Sequence, residues 1–231
     1  MPGNDPAAPS ADTVEVAEIV AVLERMHGAE HWHWTERTDP FEIAVGAILV
    51  QRTTWTNAER ALDRLRAAAA LHPGGLAILS DDELEELIRP SGQYRTKARK
   101  LRAFLDLIAR SGSFEALLAL PPATLRGRLL AAWGIGEETA DAIVLYAAHR
   151  PAFVVDAYTR RLFGRLNVGP DPGAPYGLWQ RFLAAALPGG DWPLWAHVHA
   201  LIVLHAKHLC RARRPRCGEC DLRERCPAAT Q

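Results

Sequence analysis

The chain has 231 residues, 48% of them hydrophobic, which is enough apolar material for one domain or two small ones. Lys and Arg balance Asp and Glu to a formal net charge of zero, so global charge selects no partner. No stretch reaches the roughly 18 apolar residues a membrane span needs, and the opening MPGNDPAAPSAD has neither the apolar core nor the basic start of a signal peptide.

That opening is rich in Pro, Ala and Gly and reads as a disordered tail over residues 1–14. Asp39-Pro40-Phe41-Glu42 then spells a helix start: Asp39 as cap, Pro40 in the first turn, Glu42 three residues after the cap. The run FEIAVGAILV is apolar nearly all round, so this helix is expected to be buried. NAERALDRLRAAAA (57–70) is amphipathic. Ser80 followed by DDELEELI starts another helix, with acids in the first turn where the helix dipole favours them. RTKARKLRAFLDLIAR (95–110) is amphipathic with a basic face, and Pro121-Pro122 opens a helix that leads to GIG at 134–136. A helix over 137–149 follows, and WPLWAHVHALIVLHAKHLC gives a last long helix. Phe153-Val154-Val155 looks β-like but is too short to build a sheet. No repeat of fixed period occurs. The expected fold class is all-α.

Three local features carry chemistry. The first is G-I-G-E-E-T at 134–139, two glycines between helical patterns. A glycine turn opening a helix offers backbone N–H groups to an anion, although a plain helix–turn–helix corner has the same sequence signature. The second is local charge: Arg95, Lys97, Arg99, Lys100 and Arg102 form one basic run, and Lys207, Arg211, Arg213, Arg214 and Arg216 another. Such runs are either solvated faces or phosphate contacts. The third is the spacing Cys210-x6-Cys217-x2-Cys220-x5-Cys226. A thiolate tetrad holds tetrahedral zinc or an iron–sulfur cluster. Zinc sites usually pair two C-x2-C knuckles, and this segment has one, so the asymmetry better suits a cubane with one ligand per iron. Four clustered cysteines in a chain expected to be intracellular point to metal, not to disulfides.

The cysteine spacing, with RARRPRCGEC inside it, resembles the [4Fe–4S] loop of the endonuclease III branch of DNA glycosylases. The run from Gly134 to Arg161, with VVDAYTRR around Asp156, resembles the helix–hairpin–helix and Gly/Pro–Asp element of the same superfamily. The resemblance implies a [4Fe–4S] cluster on Cys210, Cys217, Cys220 and Cys226. It also implies phosphate contacts from the amides of Gly134 and Gly136 and from Arg211, Arg213, Arg214 and Arg216. Asp156 becomes the catalytic carboxylate, stabilising oxocarbenium character on the sugar and orienting a water; its other reading is a helix N-cap. Bifunctional members carry a lysine in the second hairpin helix, and this chain has Glu138 there. A carboxylate cannot form the imine that leads to strand cleavage. The implied enzyme is a monofunctional DNA glycosylase of base excision repair, with Glu138 beside the base pocket.

PFEIAVGAILVQRTTW, RPSGQYRTKARKL, GIGEETADAI and VVDAYTRR further resemble the 3-methyladenine DNA glycosylase III subgroup. That likeness implies alkylated purines as substrate, Gln51 filling the hole left by the flipped nucleotide, and Trp34, Trp55 and Lys207 at the base pocket. A cationic alkylpurine stacks well on indole. Some members of the subgroup lack the cluster cysteines, so a different substrate stays open: mismatched thymine or uracil, or oxidised pyrimidines. A noncatalytic DNA-binding iron–sulfur protein is the reading from another class. The implied architecture is a six-helix barrel over 39–149 and a cluster domain joining 15–38 to 150–231. The implied partner is damaged double-stranded DNA, bound by a monomer in a bacterial cytoplasm, at the nucleoid.

Overall fold

The computed structural model describes residues 11–28, 30, 39–187 and 189–230. The chain divides into two compact units, residues 33–152 and residues 1–32 with 153–231.

In the unit spanning 33–152, the helix starts follow local capping. The Asp39 carboxylate accepts from the amides of Phe41 at 2.8 Å and Glu42 at 3.4 Å, and helix α2 runs Pro40–Leu49. The Glu42 carboxylate reaches Arg66 Nη2 at 2.9 Å. As its all-round apolar character requires, α2 buries Phe41 and every residue from Ile43 to Leu49. Helix α3 (Trp55–Ala67) starts on Thr54, and α4 (Pro73–Ile78) on His72. Helix α5 (Asp81–Ile88) has a full capping box between Ser80 and Glu83. Helix α6 (Tyr94–Arg110) is followed by α7 (Phe114–Leu118) and α8 (Pro122–Ala131).

The helix expected over 137–149 is two structures. Helix α9 covers Glu137–Ala142, and residues Ile143–Ala147 form a π-helical turn whose ladder closes from Ala148 N to Ile143 O at 3.0 Å. All five residues of the turn are buried and pack on α2. The wider turn ends where His149 adopts φ 52°. Phe41, Phe104 and Phe114 knit α2, α6 and α7: Phe41 and Phe114 meet edge to face at 5.3 Å, and Phe104 and Phe114 at 6.1 Å. Each such side chain contributes about 2 kcal/mol by leaving water.

In the second unit, helix α1 (Ala11–His27) begins inside the tail expected over 1–14. Val16, Ile19 and Leu23 recur at helical spacing and are fully buried, and their packing carries the helix back to Ala11. Residues 1–10 lie outside the described residues. Phe153, Val154 and Val155 are buried in an extended segment, and no strand occurs among the described residues. Helices α10 (Ala157–Leu166), α11 (Tyr176–Ala186) and α12 (Trp192–His208) follow. Helix α12 packs on α1 and α10, around a core that includes Leu23, Phe163, Trp179, Val198 and Ile202. Beyond α12 the chain makes short 3-10 turns at Cys217–Glu219, Arg223–Arg225 and Pro227–Thr230. No helix among the described residues is long and apolar enough to cross a membrane.

Candidate active site and cysteine pocket

The hairpin is built from α8, the GIG turn and α9. Gly134 sits at φ +83°, a left-handed conformation that favours glycine. A Cβ there would meet Lys100 Cγ at 2.4 Å, so the turn presses directly on the stem of Lys100. Gly136 caps α9 with φ −94°, and a Cβ there would meet nothing within 4 Å. Glu137 and Glu138 follow, both exposed, in the first turn of α9. Arg126 Nη2 lies 3.7 Å from Glu137. The same guanidinium grips the fully buried Asp141, with Nε 2.6 Å and Nη2 3.1 Å from its two oxygens. This bidentate pair ties α8 to α9 and fixes the hairpin angle.

Gln51 follows α2 and reaches that hairpin. Its amide Nε2 donates to Thr139 Oγ1 at 2.9 Å and to Gly134 O at 3.3 Å, and its Oε1 accepts from Lys100 Nζ. One side chain therefore bonds the GIG turn, α9 and α6. Trp55 opens α3, donates its indole N–H to Glu59 at 2.9 Å, and lays its ring over Gly46 of α2. Trp34 lies outside the described residues. The buried Lys97 holds the same region from below: its ammonium donates to Leu49 O at 2.7 Å and Ser91 O at 2.6 Å. Burial and the neighbouring Lys100 pull its pKa down to about 8, and burial and Arg52 lower Lys100 as well.

Asp156 caps α10 and is buried. Its Oδ1 accepts from Thr159 N at 2.8 Å and from Thr159 Oγ1 at 2.9 Å. Its Oδ2 stands 3.4 Å from Nε2 of the buried His199 on α12. Burial alone would raise the carboxyl. His199 and the two Thr159 donors overcome that and hold it below the usual aspartate range. Lys207, half-buried on α12, senses the same charge: burial lowers its pKa and the Asp156 carboxylate opposes the fall. Asp156, His199, Thr159 and Lys207 thus form one electrostatic group inside the second unit.

The four cysteines, all free thiols, line a cavity of about 210 Å³ together with Leu162, Leu166 and Leu209. Burial raises the Cys220 thiol, and the other three cysteines push it the same way. Arg161 and Arg165 on α10 shape the wall. Arg161 Nε donates to Cys210 O at 2.8 Å, and Arg165 Nη1 reaches Cys210 Sγ at 3.2 Å and Arg211 O at 2.8 Å. On the loop between the first two cysteines, Arg211, Arg213, Arg214 and Arg216 are all exposed. Arg216 forms a bidentate pair with Glu219, at 2.7 and 2.5 Å.

Sequence reasoning missed His199, Arg161 and Arg165. The H-x-H run on α12 and the TRRLFGR run after Asp156 are their traces in the sequence. Neither says which carboxylate or carbonyl the residue meets.

Residues 45–175, more than half the chain, match the model of the HhH-GPD superfamily base excision DNA repair proteins. A DNA repair glycosylase by name from Methanocaldococcus jannaschii is 38% identical over 214 residues, covering 91% of this chain and 95% of that one. Endonuclease III of Thermotoga maritima is 28% identical, covering 90% of this chain and 89% of its own. Among solved structures, endonuclease III in a non-covalent complex with DNA superposes with a TM-score of 0.80 at 22% identity, over 94% of this chain and 96% of that one. The 3-methyladenine DNA glycosylase of H. pylori, bound to 1,N6-ethenoadenine, gives 0.70 at 28% identity, over 85% and 97%. With a family model over more than half of its length and a 38% identical relative along nearly all of it, the chain belongs to the HhH-GPD superfamily as a DNA glycosylase of base excision repair.

Proposed function

We propose that this glycosylase is monofunctional: it binds damaged double-stranded DNA, hydrolyses the N-glycosidic bond of a flipped alkylated purine of the 3-methyladenine class, and leaves an abasic site. The observation that carries the reading is the state of Asp156. Thr159 occupies Oδ1, His199 flanks Oδ2, and these partners outweigh burial to hold the carboxyl below the usual aspartate range. A buried, pre-oriented carboxylate stabilises positive charge growing on the sugar and orients the attacking water. Alkylated purines are already cationic, so they leave without a strong general acid. Indole faces attract them, which is the role we assign to Trp55 and Trp34. Lys207 is assigned to the base pocket, Gln51 to the gap in the duplex, and Gly134 and Gly136 with Arg211, Arg213, Arg214 and Arg216 to phosphates. Glu138 takes the position of the lyase lysine and supplies no amine, so no Schiff base forms there. The likenesses to a DNA-bound endonuclease III and to the H. pylori glycosylase support this partner and substrate class.

Cys210, Cys217, Cys220 and Cys226 are the residues we assign to a [4Fe–4S] cluster, which when bound cross-links the segment after α12. The four thiols line one cavity with Leu162, Leu166 and Leu209, and this donor set suits one thiolate per iron of a cubane.

The test uses labelled duplexes, each with one lesion: 3-methyladenine analogue, ethenoadenine, thymine or uracil mismatch, oxidised pyrimidine. Strand cutting after alkali, and not before, is expected for the alkylated purines. A borohydride-trapped covalent complex with wild-type protein would refute the monofunctional mechanism. Tight binding with no base released from any lesion would leave a DNA-binding iron–sulfur protein. Purified protein is expected to be brown.

A further inference from the structure

A second group of ligating side chains lies at the C-terminal end of α12, outside the lining of the cysteine pocket. His27 ends α1, His208 ends α12, and Glu30 follows α1. One ligand atom from each of the three lies within 4.8 Å of the others. Glu30 bridges the two rings: Oε1 is 2.5 Å from His27 Nδ1 and Oε2 is 3.2 Å from His208 Nδ1. Ligands of a tetrahedral zinc, each about 2.0–2.1 Å from the metal, stand roughly 3.3 Å apart, a spacing inside the 4.8 Å that encloses these three atoms. We propose that His27, Glu30 and His208 form a binding site for a divalent cation of the zinc class, with an open position left for water.

Three further features support a ligand here. Two imidazoles and one carboxylate suit a borderline cation better than calcium or magnesium, which take oxygen donors. Both histidines sit at helix C-termini, where the dipole favours positive charge. Access is graded: His27 is 4% exposed, Glu30 34% and His208 49%, so a cation enters from the solvent side and meets an anchored ligand at the bottom.

The fourth feature is the outer partner of His27. Its Nε2 lies 3.1 Å from Nδ1 of the fully buried His205, whose Nε2 lies 3.5 Å from Cys220 Sγ. A metal-ligating histidine commonly hydrogen-bonds through its other nitrogen, which fixes the ring. With a cation on His27 Nδ1, the proton of neutral His27 sits on Nε2 and is donated to His205 Nδ1. Neutral His205 then carries its proton on Nε2 and donates it to Cys220 Sγ. Every donor meets an acceptor, and the sulfur receives an N–H as a thiolate requires. Without the cation, His27 donates from Nδ1 to Glu30, the chain of protons reverses, and the His205 lone pair faces the sulfur. Cation and thiolate therefore favour the same arrangement, and this part of the inference rests on Cys220 being a cluster ligand.

Full-length protein carrying its iron, dialysed against zinc chloride and analysed for both metals, tests the site. About one zinc per chain is expected above background, with iron unchanged. Glu30→Gln and His208→Gln, at partly exposed positions, are expected to lose that zinc and keep their iron and helical circular dichroism. Cobalt in place of zinc is expected to show nitrogen and oxygen ligation with no thiolate charge-transfer band. Equal zinc in wild type and both variants, zinc bound only as iron is lost, or a cobalt–thiolate charge-transfer band would each overturn the proposal. So would no zinc binding at all by the wild type. A variant that loses iron as well would be replaced by Glu30→Asp, for which weaker zinc binding with full iron supports the site and unchanged binding overturns it.

Discussion

His199 Nε2 stands 3.4 Å from Oδ2 of Asp156, while both hydrogen bonds from Thr159 fall on Oδ1. The two oxygens of one carboxylate are thereby divided, one committed to the helix cap and one turned toward an imidazole from another helix. The local sequence around Asp156 accounts for the first half of this arrangement, and α12 supplies the second.

Asp156→Asn separates the two roles. Asparagine caps helices about as well as aspartate, so the fold is expected to survive at neutral pH. Turnover on the lesion duplex is expected to fall about 100- to 1000-fold with DNA affinity kept. Full activity in this variant would remove Asp156 from the chemistry. The carboxyl is held below its unfolded value of about 3.9, so on acidification the unfolded chain takes up the proton first. The stability it contributes is complete above that unfolded value and is lost as pH falls through the folded one. Thermal unfolding from about pH 6 to pH 2.5 should show a steeper loss in wild type than in the variant.

The two hairpin glycines are expected to answer differently to the same substitution. Gly134→Ala places a Cβ 2.4 Å from Lys100 Cγ at φ +83°, and should cost about 1–3 kcal/mol in urea unfolding. Gly136→Ala has an ordinary φ of −94° and open space, and should lose only the N-cap preference for glycine, about 0.5–1 kcal/mol. If Gly136 approaches a phosphate, its alanine variant should weaken DNA binding with little change in stability. Unchanged affinity would remove it from the interface.

Lys97 gives an alkaline signature. Its ammonium is buried on two carbonyls, and its pKa lies near about 8 against 10.5 unperturbed. Between these values the unfolded chain binds the proton that the folded chain has released, so stability from this group rises with pH. The rise reaches about 3 kcal/mol for a shift of this size. Lys97→Met should be less stable at neutral pH, because the Leu49 and Ser91 carbonyls lose a donor. It should also lack the alkaline rise. Parallel curves for the two proteins from about pH 8 to 10.5 would contradict the assignment.

Arg165 is expected to govern the proposed cluster site without ligating it. It reaches Cys210 Sγ and the carbonyls of Arg211 and Ala212, at 3.2, 2.8 and 3.2 Å. Arg165→Met keeps the stem and removes these donors. It should lose about 1–3 kcal/mol and release iron faster in air than wild type. Cys217→Ser should lower iron per chain directly. Equal iron retention in all three proteins would argue against a cluster on these cysteines.

What the sequence by itself determined is what is local. Asp39, Ser80 and Asp156 each cap a helix through an amide two or three residues away, so the cap and its partner are written together. The all-round apolar run of α2 announces burial, and four cysteines within one short segment announce thiols that line one pocket, because few turns separate them. Propensity did not reveal the π-helical turn at Ile143–Ala147, which depends on packing against α2, nor the start of α1 at Ala11, which depends on the core under Val16. Tertiary structure alone decided the partnerships at long range. Lys97 meets Leu49 across 48 positions, Gln51 meets Thr139 across 88, and His27 meets His205 across 178. A lysine, a glutamine or a histidine has many acceptable partners in a sequence. Which one it takes is settled when buried helices pack at close density, because every polar group carried inside must then find a donor or an acceptor within reach.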